Sequence, residues 1–152
     1  MTSTPAKGRV ALCVARFYAE LAERLERGAR AALLEGGVEE IEVFDVPGAF
    51  ELPFAAKQAA LSGRFAAVVC LGAVIRGETD HYTYVSAAAA YGIQRVQLEA
   101  EIPCAFGVLT VDSMAQALER VSGGDKRDTG RQAAEAVLAG LAVKAKLGLR
   151  SA

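Results

Sequence analysis

Apolar and polar positions along this chain fall into blocks of two kinds. Four short runs rich in β-branched residues, Arg9 to Ala15, Ile41 to Phe44, Ala66 to Ile75 and Pro103 to Leu109, predict strands. The first and third are apolar almost throughout and long enough to be buried on both faces, and the third, being longest, predicts the central strand. Between them lie segments with helical spacing. Tyr18 to Glu35 places Leu21, Leu25, Ala29, Ala32 and Leu33 on one stripe and stops at Gly36-Gly37. Phe50 to Leu61 reads as a helix that accepts Pro53 in its first turn and closes at Ser62-Gly63. Further helices are predicted from Tyr82 to about Gln97, from Met114 to about Val121, and from Thr129 to Leu147 after a polar break over Ser122 to Asp128.

Strands alternating with helices at this pitch predict a four-stranded parallel sheet with helices on both faces, a three-layer α/β sandwich. The pattern has no linker or repeat, so one domain is expected over residues 1–152, with a flexible N-terminus over 1–8. Ligands of such sheets gather beyond the carboxyl ends of the strands. That rule selects Arg16-Phe17-Tyr18, Val46 to Glu51, Arg76 to His81 and Thr110 to Ser113, all expected on one rim.

Composition narrows the function. With 53% apolar and 23% charged residues the chain is a folded protein, and a net charge of −1 supplies no basic field for nucleic acid or an anionic membrane. Tryptophan is absent and aromatics are few, which argues against a stacking platform for single strands. Cys13, Cys70 and Cys104 are odd in number, lack metal-like spacing and sit in or at the start of apolar runs, reading as reduced, buried residues of a cytoplasmic protein. The opening MTSTPAKGR has no apolar signal core, and no stretch reaches transmembrane length.

The candidate chemistry lies in Gly72 to Val85, GAVIRGETDHYTYV, where the longest apolar run breaks into a cation, an anion, a hydroxyl and the chain's one histidine, His81. Imidazole is the side chain whose ordinary pKa, ~6.5, lies nearest neutrality. Gly77-Glu78-Thr79 offers backbone and hydroxyl donors at a helix start, which suits a phosphate, with the backbone of Glu78 rather than its carboxylate toward the anion. Neither the GxxxxGK[ST] nor the GxGxxG pattern is present, so the phosphate would belong to a small metabolite. His81, in the first helical turn, would exchange protons with a bound substrate, or else cap the helix at the surface. Phe17 could stack on a flat ring or serve as a core aromatic. Pro47 to Glu51 could present N–H groups and a carboxylate to a ligand, or act only as a helix cap. No N/S zinc set can form within one chain, and proton transfer without a metal or bound cofactor is expected.

Four motifs together, ARF, VPGAFELP, GAVIRGETDHYTYV and FGVLTVDSMAQALERV, resemble the lumazine synthases, and the resemblance covers roughly Val10 to Leu147. It implies a flavodoxin-like fold and the penultimate reaction of riboflavin formation. In that reaction 5-amino-6-(D-ribitylamino)uracil condenses with 3,4-dihydroxy-2-butanone 4-phosphate, releasing phosphate and water, and no cofactor takes part. By motif, Phe17 would stack on the pyrimidine, and Ala49, Phe50 and Glu51 would hold the ribityl chain. Ala73, Val74 and Ile75 would contact the heterocycle through their backbone, and Glu78 and Thr79 would hold the phosphate. His81 would be the proton donor and acceptor. Phe106, closing the pocket, and Arg120, pairing with phosphate, would come from a neighbouring subunit.

The chain departs from the family pattern in two places. Tyr18 stands where many members have asparagine. The short glycine-lysine loop after the arginine is replaced by the longer Val121 to Gly130, so that Arg131 takes the place of the family's lysine, with Lys126 and Arg127 as competitors. Insertions there accompany stand-alone pentamers, and a homopentamer with shared active sites is expected. The runner-up is a binding or assembly protein on the same scaffold, a paralogue that holds flavins or lumazines with little turnover; the joint presence of Phe17, His81 and Arg120 argues against it. A nucleotide-carrying flavodoxin would need a Ser/Thr/Gly-rich loop after the first strand, which Arg16-Phe17-Tyr18 is not.

Overall fold

A computed structural model describes residues 8–149. Of the expected N-terminal segment, residues 1–7 lie outside the described residues, and the Gly8 carbonyl accepts hydrogen bonds from the N–H groups of Glu39 and Glu40. The elements are β1 (Arg9–Ala15), α1 (Ala19–Glu35), β2 (Glu40–Val46), a 3₁₀ turn (Ala49–Glu51), α2 (Leu52–Leu61), β3 (Ala67–Ile75), α3 (His81–Ala100), β4 (Cys104–Val111), α4 (Met114–Leu118) and α5 (Thr129–Lys146). The four strands form one parallel sheet in the order β2-β1-β3-β4, as the alternation predicts.

Side-chain alternation divides the core in two. Val10, Leu12 and Val14 point to one face, where Leu21, Leu25 and Leu33 of α1 and Val137 and Leu141 of α5 cover them. Ala11, Cys13 and Ala15 point to the other, beneath Leu52 and Ala56 of α2 and Ile93 of α3. β1 is buried from Val10 onward and β3 as far as Gly72, so both inner strands have no wet face over most of their length. Cys13 and Cys70 sit side by side in register, and both are fully buried. Its neighbours Cys104 and Cys13, together with burial, push the Cys70 thiol well above the ordinary range, so it stays protonated.

α2 begins at Leu52 because a 3₁₀ turn takes up Ala49–Glu51, and two further helices end away from their predicted stops. α3 starts at His81 and runs to Ala100, past the expected Gln97, and stops where Glu101 takes a left-handed conformation at φ 60°. α4 ends at Leu118 instead of Val121, because the chain doubles back. The Glu119 carbonyl accepts from the N–H groups of Lys126 and Arg127, and the Arg120 carbonyl from that of Thr129. Gly124 makes this reversal possible, since a Cβ there would lie 2.6 Å from the Glu119 backbone.

The reversal delivers the first turn of α5 hard against α1. Asp128 caps α5 by accepting from the Arg131 N–H at 3.0 Å, and a Cβ on Gly130 would stand 2.1 Å from the Leu25 carbonyl oxygen. Backbone cannot yield as a flexible side chain does. Gly130→Ala is therefore expected to destabilise the fold by about 2–3 kcal/mol in urea unfolding, as overpacking does. Gly77→Ala, whose Cβ meets nothing within 4 Å, is the comparison and should leave the urea midpoint in place.

Candidate active site

The strand order places a switch point between β1 and β3. From β1 the chain passes by α1 to β2 on one side, then crosses by α2 to β3 on the other side. The connections thus leave the sheet in opposite directions above these two strands, and a crevice opens there. It holds a cavity of about 620 Å³, within the range of small-molecule sites.

Each of the first three rim loops contributes to this cavity. Phe17 follows β1 directly and is 74% exposed, with its ring edge-on to Tyr18 at 4.9 Å, so an aromatic face is left open. Ala49, Phe50 and Glu51 form the 3₁₀ turn after β2, with Ala49 buried and Phe50 exposed. Glu51 performs the capping role: its Oε1 accepts the Gly48 N–H at 2.9 Å. The carboxylate is thereby fixed by one oxygen at the cavity wall. Ala73, Val74 and Ile75, the last residues of β3, form the floor.

His81 opens α3 on the cavity wall, and its backbone N–H donates to Thr79 Oγ1 at 3.3 Å. Tyr84 and Val85 also line the cavity, and the sequence reading passed over them. Their signal was available: they stand three and four residues after His81, hence on the same helix face. Glu78 and Thr79 are exposed and outside the cavity lining, at the approach to α3. Arg76 is taken up by Asp112, with Nε donating to Oδ1 at 2.9 Å and the guanidinium 4.3 Å above the Tyr82 ring. The hydrogen bond to Asp112 raises its pKa further.

The fourth rim loop opens on a separate cavity of the same rim. Thr110 and Val111 line a second cavity of about 540 Å³, beside β4, together with Phe106, Arg120, Arg127 and Thr129. α3 contributes its first turns to the first cavity and Ala90, Ile93 and Gln94 to the second. Within one chain, therefore, Phe106 and Arg120 are together but apart from His81. Arg120 Nη1 donates to the Gln116 carbonyl at 2.8 Å and to Glu119 Oε1 at 3.0 Å.

Arg131 lines neither cavity. Its guanidinium spans to α1, where Nη1 and Nη2 donate to the two Glu35 carboxylate oxygens at 3.0 Å each. That bidentate pair holds Glu35 below the usual carboxylate range. Among the described residues, no group of three or more His, Cys, Asp or Glu is placed to hold a metal ion. None of the described helices is long and apolar enough to cross a membrane.

Comparison with known proteins converges on one family. A family model described as 6,7-dimethyl-8-ribityllumazine synthase matches residues 7–145. The 6,7-dimethyl-8-ribityllumazine synthase of Syntrophus aciditrophicus is 52% identical over 118 residues, covering 76% of this chain and 77% of that protein. Proteins of the same name from Desulfatibacillum aliphaticivorans and Nautilia profundicola are 51% and 49% identical over 114 residues, covering 74% of each chain.

Proposed function

The chain belongs to the 6,7-dimethyl-8-ribityllumazine synthase family, and from that membership we infer its reaction and the part each residue plays. It is a transferase that condenses 5-amino-6-(D-ribitylamino)uracil with 3,4-dihydroxy-2-butanone 4-phosphate to 6,7-dimethyl-8-ribityllumazine, releasing phosphate and water. The observation that carries the site assignment is the convergence of Phe17, Phe50, Glu51, Ala73 to Ile75 and His81 on one cavity at the switch point.

The pyrimidine stacks on the open face of Phe17, and the backbone of Ala73, Val74 and Ile75 meets its polar edge. Ala49, Phe50 and Glu51 receive the ribityl chain; the Glu51 oxygen not used by Gly48 is an acceptor for hydroxyls. Imine formation, loss of phosphate and ring closure each need a proton moved, and His81 gives and takes it. Glu78 and Thr79, at the helix approach, receive the phosphate through backbone and hydroxyl donors.

Two cations complete the phosphate site from the second cavity, Arg120 and Arg127. Their shared cavity favours Arg127 over Arg131, whose guanidinium is already spent on Glu35. Because the two cavities are different patches of one chain, bringing them together takes a heterologous contact between copies, which closes into a ring. The reading is a cytoplasmic homopentamer with each active site shared by two subunits. Phe106, 41% exposed, then covers the pyrimidine pocket of the adjoining copy.

Four measurements test this reading. Purified protein given both substrates should develop the lumazine chromophore; binding of both without product would sink the enzyme assignment. His81→Ala should slow turnover about ten- to a hundredfold with substrate binding mostly kept, near the low end of acid–base effects because water can reach this exposed position. Arg127→Ala should raise KM for the butanone phosphate about tenfold or more, the worth of a charge-assisted hydrogen bond, while Arg131→Ala leaves it unchanged. The reverse result would restore Arg131 to the phosphate site. Sedimentation should give five times the 15.9 kDa chain mass, and a megadalton particle would refute the pentamer.

A further inference from the structure

Phe17 is the most weakly supported side chain of the candidate site. Its ring is 74% exposed, and its aromatic contact is the edge of Tyr18, its own neighbour in sequence. Packing within its own chain therefore does not fix its angle, and the backbone of the β1–α1 turn places it. That turn is tied down by the residue before it. The Arg16 N–H donates to the Val46 carbonyl at 2.9 Å, extending the β1–β2 ladder one step past the end of β1. Arg16 Nε donates to Asp45 Oδ1 at 2.8 Å, and Nη2 donates to Glu26 Oε1 at 2.7 Å. The second Glu26 oxygen accepts from Arg30 Nη2 at 3.0 Å.

One planar guanidinium thus joins the end of β1 to the end of β2 and to the middle of α1. It does not line the cavity. Its shielding separates it from an ordinary surface pair: the Arg16 and Glu26 side chains are 33% and 20% exposed, against 54% and 65% for Arg76 and Asp112. Burial pushes the Glu26 carboxyl up, but hydrogen bonds and charge from Arg16 and Arg30 outweigh it and leave the group below its ordinary value, hence ionised. Lysine could not reproduce the arrangement, since an ammonium is a point charge without the fixed fork that reaches two carboxylates at a set angle.

We propose that Arg16 is a positioning residue that, through Glu26 and Asp45, holds the Phe17 ring at the angle that receives the pyrimidine substrate. This rests on the stacking role assigned to Phe17. The elements it joins do not depend on it for their own packing, because α1 and β1 are anchored by Leu21, Leu25, Leu12 and Val14, all buried, and β2 pairs with β1 along its whole length. Loss of the clamp should therefore act on the ring before it acts on the fold.

The chain contains no tryptophan, so F17W creates a single-indole reporter that needs no substrate. In that background R16Q should lower the fluorescence anisotropy, E26Q and D45N should lower it less, and R16K should recover it only in part. In the natural background R16Q should raise KM for the pyrimidine about three- to tenfold, the worth of an aromatic stack, with KM for the butanone phosphate and kcat little changed. Unchanged anisotropy would overturn the proposal. So would a fall in thermal midpoint accompanied by equal losses for both substrates, which is the signature of a merely structural ion pair. A wild-type protein that makes no lumazine would instead remove the reaction, while the anisotropy series would still decide whether Arg16 sets the ring.

Discussion

A parallel strand buried on both faces has no place along its length for a side chain that needs water. β1 and β3 are such strands here, one layered under α1 and α5 and the other way under α2 and α3. Their backbone groups are satisfied within the sheet, and beyond the exposed Arg9 at the start of β1 their side chains are small or branched hydrocarbons and thiols that fill the layers on either side. Charge and hydroxyl groups are thereby driven past the strand ends. Arg16 follows β1 by one residue, Arg76 follows β3 by one, and the polar stretch to His81 begins there. The concentration of chemistry at one rim is a consequence of how dry the two inner strands are.

The rim is held by arginines that do not enter the cavity. Arg16 with Asp45 and Arg76 with Asp112 make the same move at two strand pairs: the backbone N–H extends the ladder to the neighbouring strand and the side chain takes an aspartate beside that strand's carboxyl end. Loops of this kind have few apolar contacts of their own, and a directional fork supplies the geometry that packing does not. On the roles proposed above, the motif ARF splits into a binding group and the group that aims it.

Much of this was legible in the residues. The dry character of Ala66 to Ile75, the glycine stop at Gly36 and the cap around Glu51 follow from local chemistry, and all appear in the fold. The lining residues before and after His81 were readable as well, because helical spacing alone brings Tyr84 and Val85 to its side. What the one-dimensional pattern could not supply was which charges meet. In sequence Arg131 looks like a free cation just after the polar Ser122 to Asp128 stretch, but Glu35, from a helix nearly a hundred residues earlier, claims both of its terminal nitrogens. Nor does periodicity announce the reversal at Gly124, which shortens α4 and brings Arg127 to the cavity that Arg120 lines. Such facts depend on long-range contacts, and the division of the rim into two cavities depends on them too.

The buried sulfur atoms carry one more implication. Cys13 and Cys70 face each other across the two innermost strands with no accessible surface, and Cys70 is held as a neutral thiol. A thiol-specific reagent in solution meets no path to either of them while the sheet is intact, and at Cys70 no thiolate to attack. Their labelling is thus gated by opening of the whole central layer, and its rate under native conditions follows the rarest and most complete excursion the molecule makes. The protein carries its own clock for global unfolding, in place of any dye or engineered probe.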